Sequence, residues 1–345
     1  MTRKTSSPLQ IWVLSDDKAG HMAGSRGLVK ALGKIKSTHI TWVYTRLRIP
    51  GSHRLLNVAL RLFPKTWNDF WITLFYFIDE QPTGAPDIIC SAGRKTQYLN
   101  VLWARKYAAK NFFVGTLRDL SYKNFTAFLT PLNIDAPNHI RLGLPLTDID
   151  QDALADATPT IALPKTDKPI WTLLVGGPTK GYPFKKQDWL DLAKAMTQLS
   201  QKYGGKWLLT TSRRTGKGVE DILKSAVSPT HILDGVWYAE APRKVVKPFL
   251  ASADAVFCTE DSMAMLGEAV SAGRPVYSLT PKAVHLDWKE RQIVTQLEAG
   301  KKISRHKISE LAEDGASLPP KTAFDLYSAS PLDEVAHKLR WFLEN

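Results

Sequence analysis

Short apolar segments, each followed by a polar or glycine-containing turn and then by a helical pattern, repeat along most of this sequence. In the first half, we predict strands at 11–14, 40–44, 86–90, 111–114 and 125–129. After a polar stretch at 145–168, interpreted as a linker, the pattern resumes with strands at 169–175 and 206–210. Strands that alternate with helices predict a parallel, doubly wound sheet.

The chain of 345 residues is long enough for two such domains, each with its own core. The predicted fold class is therefore α/β, with two Rossmann-like, doubly wound domains that face a ligand-binding cleft. We place the first domain at 1–150 and the second at 151–330. The segment 331–345 has apolar residues at helical spacing, and we expect a helix that packs back on the first domain.

Composition excludes several classes of protein. Hydrophobic residues make up 44% of the chain, which excludes an intrinsically disordered protein. Cys90 and Cys258 end apolar runs and are expected to be buried thiols, because no disulfide framework or zinc-ligand spacing is present. The first ten residues lack a signal-peptide core, and no apolar run reaches the roughly 18 residues that span a bilayer. We therefore expect a cytoplasmic protein.

The net charge of +13 is concentrated in the first half of the chain. Residues 1–147 contain 20 Lys and Arg against 8 Asp and Glu, whereas residues 148–345 contain 26 against 25. A basic domain favours an anionic membrane surface or a nucleic acid as partner. Segment 46–78 places arginines beside aromatic residues, which suits a membrane interface; a buried helix with a basic outer face is the alternative. No nucleic-acid-binding module is recognisable, so we expect no nucleic acid partner.

The segment 258–269 predicts a strand, a polar turn and a helix that opens at Asp261 or Ser262. Such a turn directs unpaired backbone N–H groups and the positive end of a helix dipole at one point, where a phosphate can bind. Glu268 lies about two turns into this helix, within reach of a ribose hydroxyl. The alternative is an ordinary strand–helix unit in which Ser262 is only an N-cap.

Two further polar loops follow apolar strands in the second half, at 176–181 and 211–215. In an open α/β sheet such loops lie at the carboxyl ends of the strands, where ligands bind. Glycines permit close backbone approach, while cations and hydroxyls could neutralise a diphosphate. Paired arginines on a solvated surface are the alternative. The residues concerned are Gly176, Gly177, Lys180, Thr211, Ser212, Arg213 and Arg214.

In the first half, the loop after the first strand contains Asp16, Asp17 and His21. One of these side chains could deprotonate an acceptor hydroxyl, although either aspartate could instead cap the next helix and His21 could bind an acceptor without proton transfer. No second cluster of His, Asp or Glu accompanies this loop, so we expect no metal site. The loop 91–95, at another strand end, could hold an anionic acceptor or simply begin a helix.

These motifs together resemble the ELM1-like family, which is named after a plant mitochondrial-fission factor and is common in bacteria. The resemblance covers most of the chain and rests on the motifs at 17–21, 176–177, 211–215, 259–263 and 273–276. It implies a GT-B glycosyltransferase fold, with the nucleotide-sugar donor in the second domain and the acceptor in the first. The sequence departs from the family pattern at Lys18, where a glycine is usual, and at 239–243.

The resemblance implies a metal-independent glycosyltransferase that uses no cofactor besides its nucleotide-sugar donor substrate. The expected acceptor is a lipid-linked or envelope glycan, such as a lipopolysaccharide core, at the cytoplasmic face of the membrane. A non-catalytic membrane or partner adaptor and a nucleotide-sugar epimerase are the alternatives. The expected site residues are Asp17 and His21 for catalysis; Gly177, Lys180, Ser212, Arg213, Arg214, Asp261, Ser262 and Met263 for the diphosphate; Glu268 and Thr211 for ribose and base; and Gly20, Gly93 and Arg94 for the acceptor.

Overall fold

The structure is a computed structural model that describes residues 7–117, 120–163, 167–327 and 330–344. The chain divides into two compact units. Unit 1 comprises Met1–Asp148 together with Pro331–Asn345, and unit 2 comprises Ile149–Ser330. Each unit is built on its own sheet, so the two are described separately.

Unit 1 alternates strands and helices around one sheet. Its elements are β1 (Leu9–Ser15), α1 (Ala19–Gly33), β2 (Thr38–Leu47), α2 (His53–Leu62), α3 (Asn68–Phe75), β3 (Tyr76–Ile78), β4 (Ile88–Ala92), α4 (Gln97–Tyr107), β5 (Lys110–Val114), β6 (Ala127–Thr130) and β7 (His139–Arg141). The strand order is β3-β2-β1-β4-β5-β6-β7, and neighbouring strands are parallel except β2 and β3. The order reverses between β1 and β4, and ligands bind at such positions in open α/β sheets.

Strand β1 sends alternate side chains into two different apolar cores. Ile11 and Val13 lie in the cluster that includes residues of α1, whereas Trp12 and Leu14 lie in the cluster that includes residues of α4. All four side chains are buried. A strand covered on both faces must be apolar at consecutive positions, which is why this parallel strand could be predicted.

Unit 2 repeats the same plan. Its elements are α5 (Gln151–Ala155), β8 (Ile170–Val175), α6 (Lys186–Tyr203), β9 (Lys206–Thr211), α7 (Lys217–Ala226), β10 (Ile232–Val236), α8 (Val246–Ser252), β11 (Ala255–Thr259), α9 (Met263–Ser271), β12 (Val276–Thr280), α10 (Trp288–Ala299), β13 (Ser304–Lys307) and α11 (Ile308–Leu311). The order is β10-β9-β8-β11-β12-β13, with all neighbouring strands parallel. Here the order reverses between β8 and β11.

The last helix, α12 (Pro331–Glu344), belongs to unit 1 and packs against α1. Its buried residues are Leu332, Val335, Ala336 and Leu339, which join the apolar cluster of α1. Because they are separated by one, three or four positions, these residues share one face of the helix.

From the sequence we predict the first helix over 23–33, whereas α1 begins four residues earlier, at Ala19. Lys18 has extended backbone geometry at the N-cap, and its carbonyl accepts the Met22 N–H at 2.9 Å. Gly20 and His21 therefore lie in the first helical turn rather than in a loop.

The stretch at 145–168, interpreted from the sequence as a linker, is partly helical. It contains α5, whose N-cap Asp150 is buried and accepts the Ala153 N–H at 2.8 Å. The boundary between the two units, at Asp148 and Ile149, falls inside this stretch. Residues 164–166 lie outside the described residues.

The cysteines and the hydropathy of the helices were both addressed by predictions from composition. Cys90 and Cys258 are free and fully buried, as predicted. In the part of the chain that the structure describes, no helix combines the length and the hydropathy needed to cross a bilayer.

Candidate functional site

The candidate site of unit 2 lies at the carboxyl ends of β8 and β11, where the strand order reverses. Hydrogen bonds join the loops that follow these strands. The Gly176 N–H donates to Thr259 Oγ1 at 2.7 Å, and the Gly177 N–H donates to Asp261 Oδ2 at 3.0 Å. Two motifs that lie more than 80 residues apart in sequence therefore form one connected arrangement.

Asp261 also binds the loop after β9. Its carboxylate forms an ion pair with the Arg214 guanidinium, and its side chain is completely buried. Burial raises the pKa of the Asp261 carboxyl, while the Gly177 N–H and the Arg214 charge oppose that effect. We expected Asp261 and Arg214 to bind a diphosphate directly. In the structure they pair with each other and hold three loops together, while 44% of the Arg214 side chain stays exposed.

The close packing of Asp261 and Arg214 leaves no room for a side chain at Gly176 or Gly177. A Cβ atom on Gly176 would lie 2.2 Å from Asp261 Oδ2, and one on Gly177 would lie 2.2 Å from the Arg214 carbonyl oxygen. Both distances are far below a van der Waals contact. The close approach that these glycines permit is therefore made by the protein's own atoms.

Helix α9 begins where the sequence predicts. Ser262 is its N-cap, with extended backbone geometry, and the Ser262 hydroxyl accepts the Met265 N–H at 3.4 Å. Met263 is the first helical residue, so its N–H precedes the first intrahelical hydrogen bond. Glu268 lies in the second turn and is half-buried. The helix brings the positive end of its dipole to the loop after β11.

Two cationic side chains at this edge of the sheet contribute no ion pair or hydrogen bond to the described structure. Lys180 follows β8 and Arg213 follows β9; both are exposed, and neither forms an ion pair or hydrogen bond with another described residue. Ser212, beside Arg213, is half-buried, and its hydroxyl lies 3.2 Å from Thr215 Oγ1. Lys180 and Arg213 are therefore available to meet an anionic ligand without breaking a contact among the described residues.

Thr211 does not fit its expected role in ribose or base binding. Its side chain is buried, and its hydroxyl donates to Glu220 Oε1 at 2.6 Å while accepting the Tyr238 N–H at 2.8 Å. Both hydrogen-bonding functions of the hydroxyl are thus satisfied inside the protein. Thr211 fastens the end of β9 to α7, and we remove it from the proposed ligand contacts.

A buried polar network around Glu260 was not predicted. The Glu260 carboxylate is fully buried and accepts two Arg305 N–H groups at 2.7 Å, the Tyr182 hydroxyl at 2.9 Å and the Ser278 hydroxyl at 2.7 Å. Burial, together with the Glu260 charge, raises the pKa of Tyr182, so its hydroxyl remains a donor. The network fixes the turn between β11 and α9. Its members come from separate segments, so no local motif could have revealed it.

The candidate site of unit 1 lies at the carboxyl ends of β1 and β4. His21 Nδ1 is 2.8 Å from Asp16 Oδ1, and the Asp16 side chain is 2% exposed while that of His21 is 35% exposed. Burial alone would raise the pKa of Asp16, but the hydrogen bond and charge of His21, with the charge of Lys18, lower it below its usual value. An ionised Asp16 accepts the Nδ1–H of His21 and thereby leaves Nε2 as the proton-accepting nitrogen.

Asp17 was expected to be the catalytic aspartate, but in the structure it is the neighbouring Asp16 whose carboxylate contacts His21. Asp17 is exposed, has a left-handed backbone with a φ of 58°, and donates its N–H to Ser15 Oγ at 3.1 Å. Because the chain turns at Asp17, it is Asp16 that lies against His21. The pair in this site is therefore Asp16 and His21.

The loop after β4 meets the same histidine. Gly93 has a φ of 87°, and a Cβ atom built on it would lie 2.2 Å from His21 Nδ1. The structure thus brings together two residues, Gly93 and His21, that the sequence placed in two separate loops. Arg94 follows in the same loop and is half-buried, while Gly20 is exposed in the first turn of α1.

Replacing Gly93 by alanine is expected to destabilise the protein by roughly 2 kcal/mol, because the left-handed backbone is strained and the new methyl group displaces the imidazole of His21. Gly84→Ala is the matched control, since Gly84 has a φ of 83° but nothing within 4 Å of the added Cβ. The difference in stability between the two variants, measured by thermal unfolding, separates the contact with His21 from the backbone strain. Equal losses of stability would show that the ring accommodates the methyl group.

The two sites offer different chemistry. Unit 2 presents cations and a helix N-terminus, which suit an anionic group, and unit 1 presents a histidine oriented by a buried carboxylate, which suits proton transfer. Across the described residues, no three His, Cys, Asp or Glu side chains are grouped so that they could hold a metal ion.

Known proteins share this architecture. An uncharacterised protein of Rickettsia prowazekii (strain Madrid E) is 24% identical over 365 residues, covering 95% of this chain and 96% of that protein. The complex of S. aureus MnaA with UDP has a TM-score of 0.50 at 14% identity, covering 88% of this chain and 86% of that one. A glycosyltransferase of kitacinnamycin has a TM-score of 0.50 at 11% identity, covering 98% and 95%.

Identity at this level shows a common fold, and here the fold is GT-B: two doubly wound, mostly parallel sheets with helices between the strands. The family model described as mitochondrial fission ELM1 matches residues 19–341, which is nearly the whole sequence. The chain therefore belongs to the mitochondrial fission ELM1 family.

Proposed function

We propose that this protein is a glycosyltransferase that moves a sugar from a nucleotide-sugar to a hydroxyl of a glycan or glycolipid acceptor. The observation that carries the proposal is the edge of the unit 2 sheet. There the loops after β8, β9 and β11 are held together by Asp261, the N-terminus of α9 is presented, and Lys180 and Arg213 have no partner among the described residues. This combination suits a departing nucleoside diphosphate.

Unit 2 is the proposed donor-binding part. The first-turn N–H of Met263 and the hydroxyl of Ser212 would bind diphosphate oxygens, and Lys180 and Arg213 would neutralise the charge that develops as the diphosphate leaves. Glu268, in the second turn of α9, is the proposed partner of a ribose hydroxyl. Protein cations and a helix terminus can stabilise this leaving group without a divalent ion.

Unit 1 is the proposed acceptor-binding part, with His21 as the general base. Its Nε2 would take the proton of the acceptor hydroxyl as the oxygen attacks the anomeric carbon and the bond to the diphosphate breaks. Asp16 would hold the ring in the required tautomer and stabilise the imidazolium that forms. Gly93 keeps space beside the ring, and Arg94 would contact an anionic group of the acceptor.

For the acceptor we propose a lipid-linked or envelope glycan, such as a lipopolysaccharide core, presented at the cytoplasmic face of the membrane. The excess of basic residues in the first 147 positions supports an acceptor that lies on an anionic surface. Binding to a membrane does not depend on the donor chemistry, so the two parts of the proposal can be tested separately.

A thermal-shift screen with UDP, GDP, CDP, ADP and CMP, without metal, tests donor binding. A nucleotide at about 100 times its Kd should stabilise the native protein by about 2.7 kcal/mol. The K180A/R213A double variant is expected to bind the same nucleotide at least tenfold more weakly, because charge-assisted hydrogen bonds contribute about 1.5–3 kcal/mol each. Arg340→Ala, which removes an exposed arginine from α12, should leave binding unchanged.

The other outcomes of the screen point to the alternative functions. A folded protein that binds none of these nucleotides would contradict the proposal and favour an adaptor. A separate incubation with nucleotide-sugars tests the other alternative, because their conversion in the absence of any acceptor would favour an epimerase.

A further inference from the structure

Exposed apolar side chains are concentrated in one segment of unit 1. Of the fifteen large apolar residues that are exposed among the described positions, nine lie between residues 49 and 77. Scattered apolar residues on a surface need no explanation, but a contiguous group is characteristic of an interaction site. This segment includes α2, α3, the turn that joins them and the start of β3.

Helix α2 is apolar on two faces. Leu56, Ala59 and Leu60 are buried against unit 1, whereas Leu55, Val58 and Leu62 are exposed at spacings of three and four residues. The second set therefore forms a stripe that no described residue covers. Leu62 is the most exposed of the three, at 73%.

The exposed stripe continues through an aromatic cluster onto α3. The ring of Phe63 lies 5.5 Å from that of Trp67, which lies 5.6 Å from that of Phe70. Leu74 follows Phe70 by one helical turn, and all four of these side chains are exposed. The apolar surface is therefore continuous along both helices. We call it, with its flanking cations Arg54, Arg61 and Lys65, the α2–α3 surface.

The positive charge of the α2–α3 surface indicates which kind of partner it binds. Arg54, Arg61 and Lys65 are exposed and form no ion pair with another described residue. The segment 46–78 contains five Lys or Arg and a single acidic residue, Asp69, which is paired with Lys106 at 2.6 Å. Two arginines that flank an apolar stripe on a short helix, next to an exposed tryptophan, match the requirements of a helix lying in a bilayer interface. A second copy of this surface would instead place like charges opposite each other.

We propose that the α2–α3 surface docks unit 1 on a bilayer that contains anionic lipid. Leu55, Val58, Leu62, Trp67, Phe70 and Leu74 enter the boundary between headgroups and acyl chains, and Arg54, Arg61 and Lys65 bind lipid phosphates. The inference deepens the proposed function by naming the surface that brings the protein to a membrane-borne acceptor. Docking itself requires neither a donor nor an acceptor.

Sedimentation with vesicles tests the proposal on the full chain. We expect binding to vesicles that contain phosphatidylglycerol, weak binding to phosphatidylcholine alone, and a loss of binding at high salt. The R54A/R61A variant should partition about 30-fold more weakly, by the usual contribution of a basic residue near an anionic surface. The W67S/F70S variant should lose binding, and Trp288→Ser, which removes a more exposed tryptophan of unit 2, should not. All substituted side chains are exposed, so thermal unfolding should confirm that the variants fold.

A fluorescent probe tests insertion directly. Because Cys90 and Cys258 are buried, a thiol introduced by Leu74→Cys can be labelled selectively with an environment-sensitive dye. Its emission should shift to the blue on addition of anionic vesicles, while a label introduced by Trp288→Cys should not shift. An unshifted Leu74→Cys label, or vesicle binding that survives both double variants, would overturn the proposal. So would self-association of the lipid-free protein that the W67S/F70S variant abolishes, since the surface would then bind a second copy. These vesicles hold no glycan or nucleotide, so a failure here leaves the donor-binding result untouched.

Discussion

Glu260→Ala is expected to lower the free energy of unfolding by about 3 kcal/mol, the largest effect on stability that the structure predicts. The substitution removes the carboxylate that satisfies Arg305, Tyr182 and Ser278 together, and it leaves the buried Tyr182 hydroxyl and the Arg305 guanidinium without their acceptor. For a unit of this size, the loss corresponds to a Tm lower by about 6–12 °C. Differential scanning calorimetry measures it.

Glu298→Ala is the matched control for this experiment. Glu298 lies 3.7 Å from the same Arg305 guanidinium but is 50% exposed, so its removal should change stability by less than about 0.5 kcal/mol. A Glu260 variant that is as stable as the Glu298 variant would show that the buried network contributes no more than a surface ion pair.

His21→Ala is expected to lower the turnover rate roughly 100- to 10,000-fold, as is usual for the loss of a general base. Asp16→Asn should cause a loss of at least tenfold, because an amide can donate to Nδ1 and so favours the tautomer in which Nε2 carries the proton. The Kd for the donor nucleotide should stay unchanged in both variants, since both residues belong to unit 1. The assay is release of nucleoside diphosphate from a nucleotide-sugar, with a membrane extract as the source of acceptor.

Asp17→Asn decides between the two neighbouring aspartates. Asp17 is exposed and Asp16 is buried against His21, so Asp17→Asn should keep the rate within about twofold of the wild type. Loss of turnover in Asp17→Asn together with full activity in Asp16→Asn would reverse the assignment and restore the aspartate that the sequence suggested.

Helices and strands could be predicted where their buried positions follow a pattern in the local sequence. From the sequence we predict a helix over 186–203, and α6 has these bounds, because its apolar spacing and the glycine after Tyr203 are local signals. Strand β3 was not predicted. It pairs antiparallel with β2 at residues 45–47, and such pairing depends on a distant partner rather than on its own three residues.

The same distinction applies to the sites. Strand-end loops could be located from sequence because a parallel sheet places them at one edge, and Gly93 and His21 do meet there. The sequence could not show which side chains of these loops pair with one another and which remain free. Whether Asp16 or Asp17 faces His21 depends on a single left-handed residue, and whether Arg214 is free depends on Asp261, 47 residues away.

The return of α12 to unit 1 has a consequence for the order in which the protein is made. Leu332, Val335, Ala336 and Leu339 complete the apolar cluster around α1, yet they are synthesised only after all of unit 2. On the ribosome, the usual sequence in which the N-terminal domain finishes first is therefore reversed. Unit 2 can close its core during translation, whereas the face of α1 that α12 covers stays exposed to water, and to chaperones, until α12 emerges.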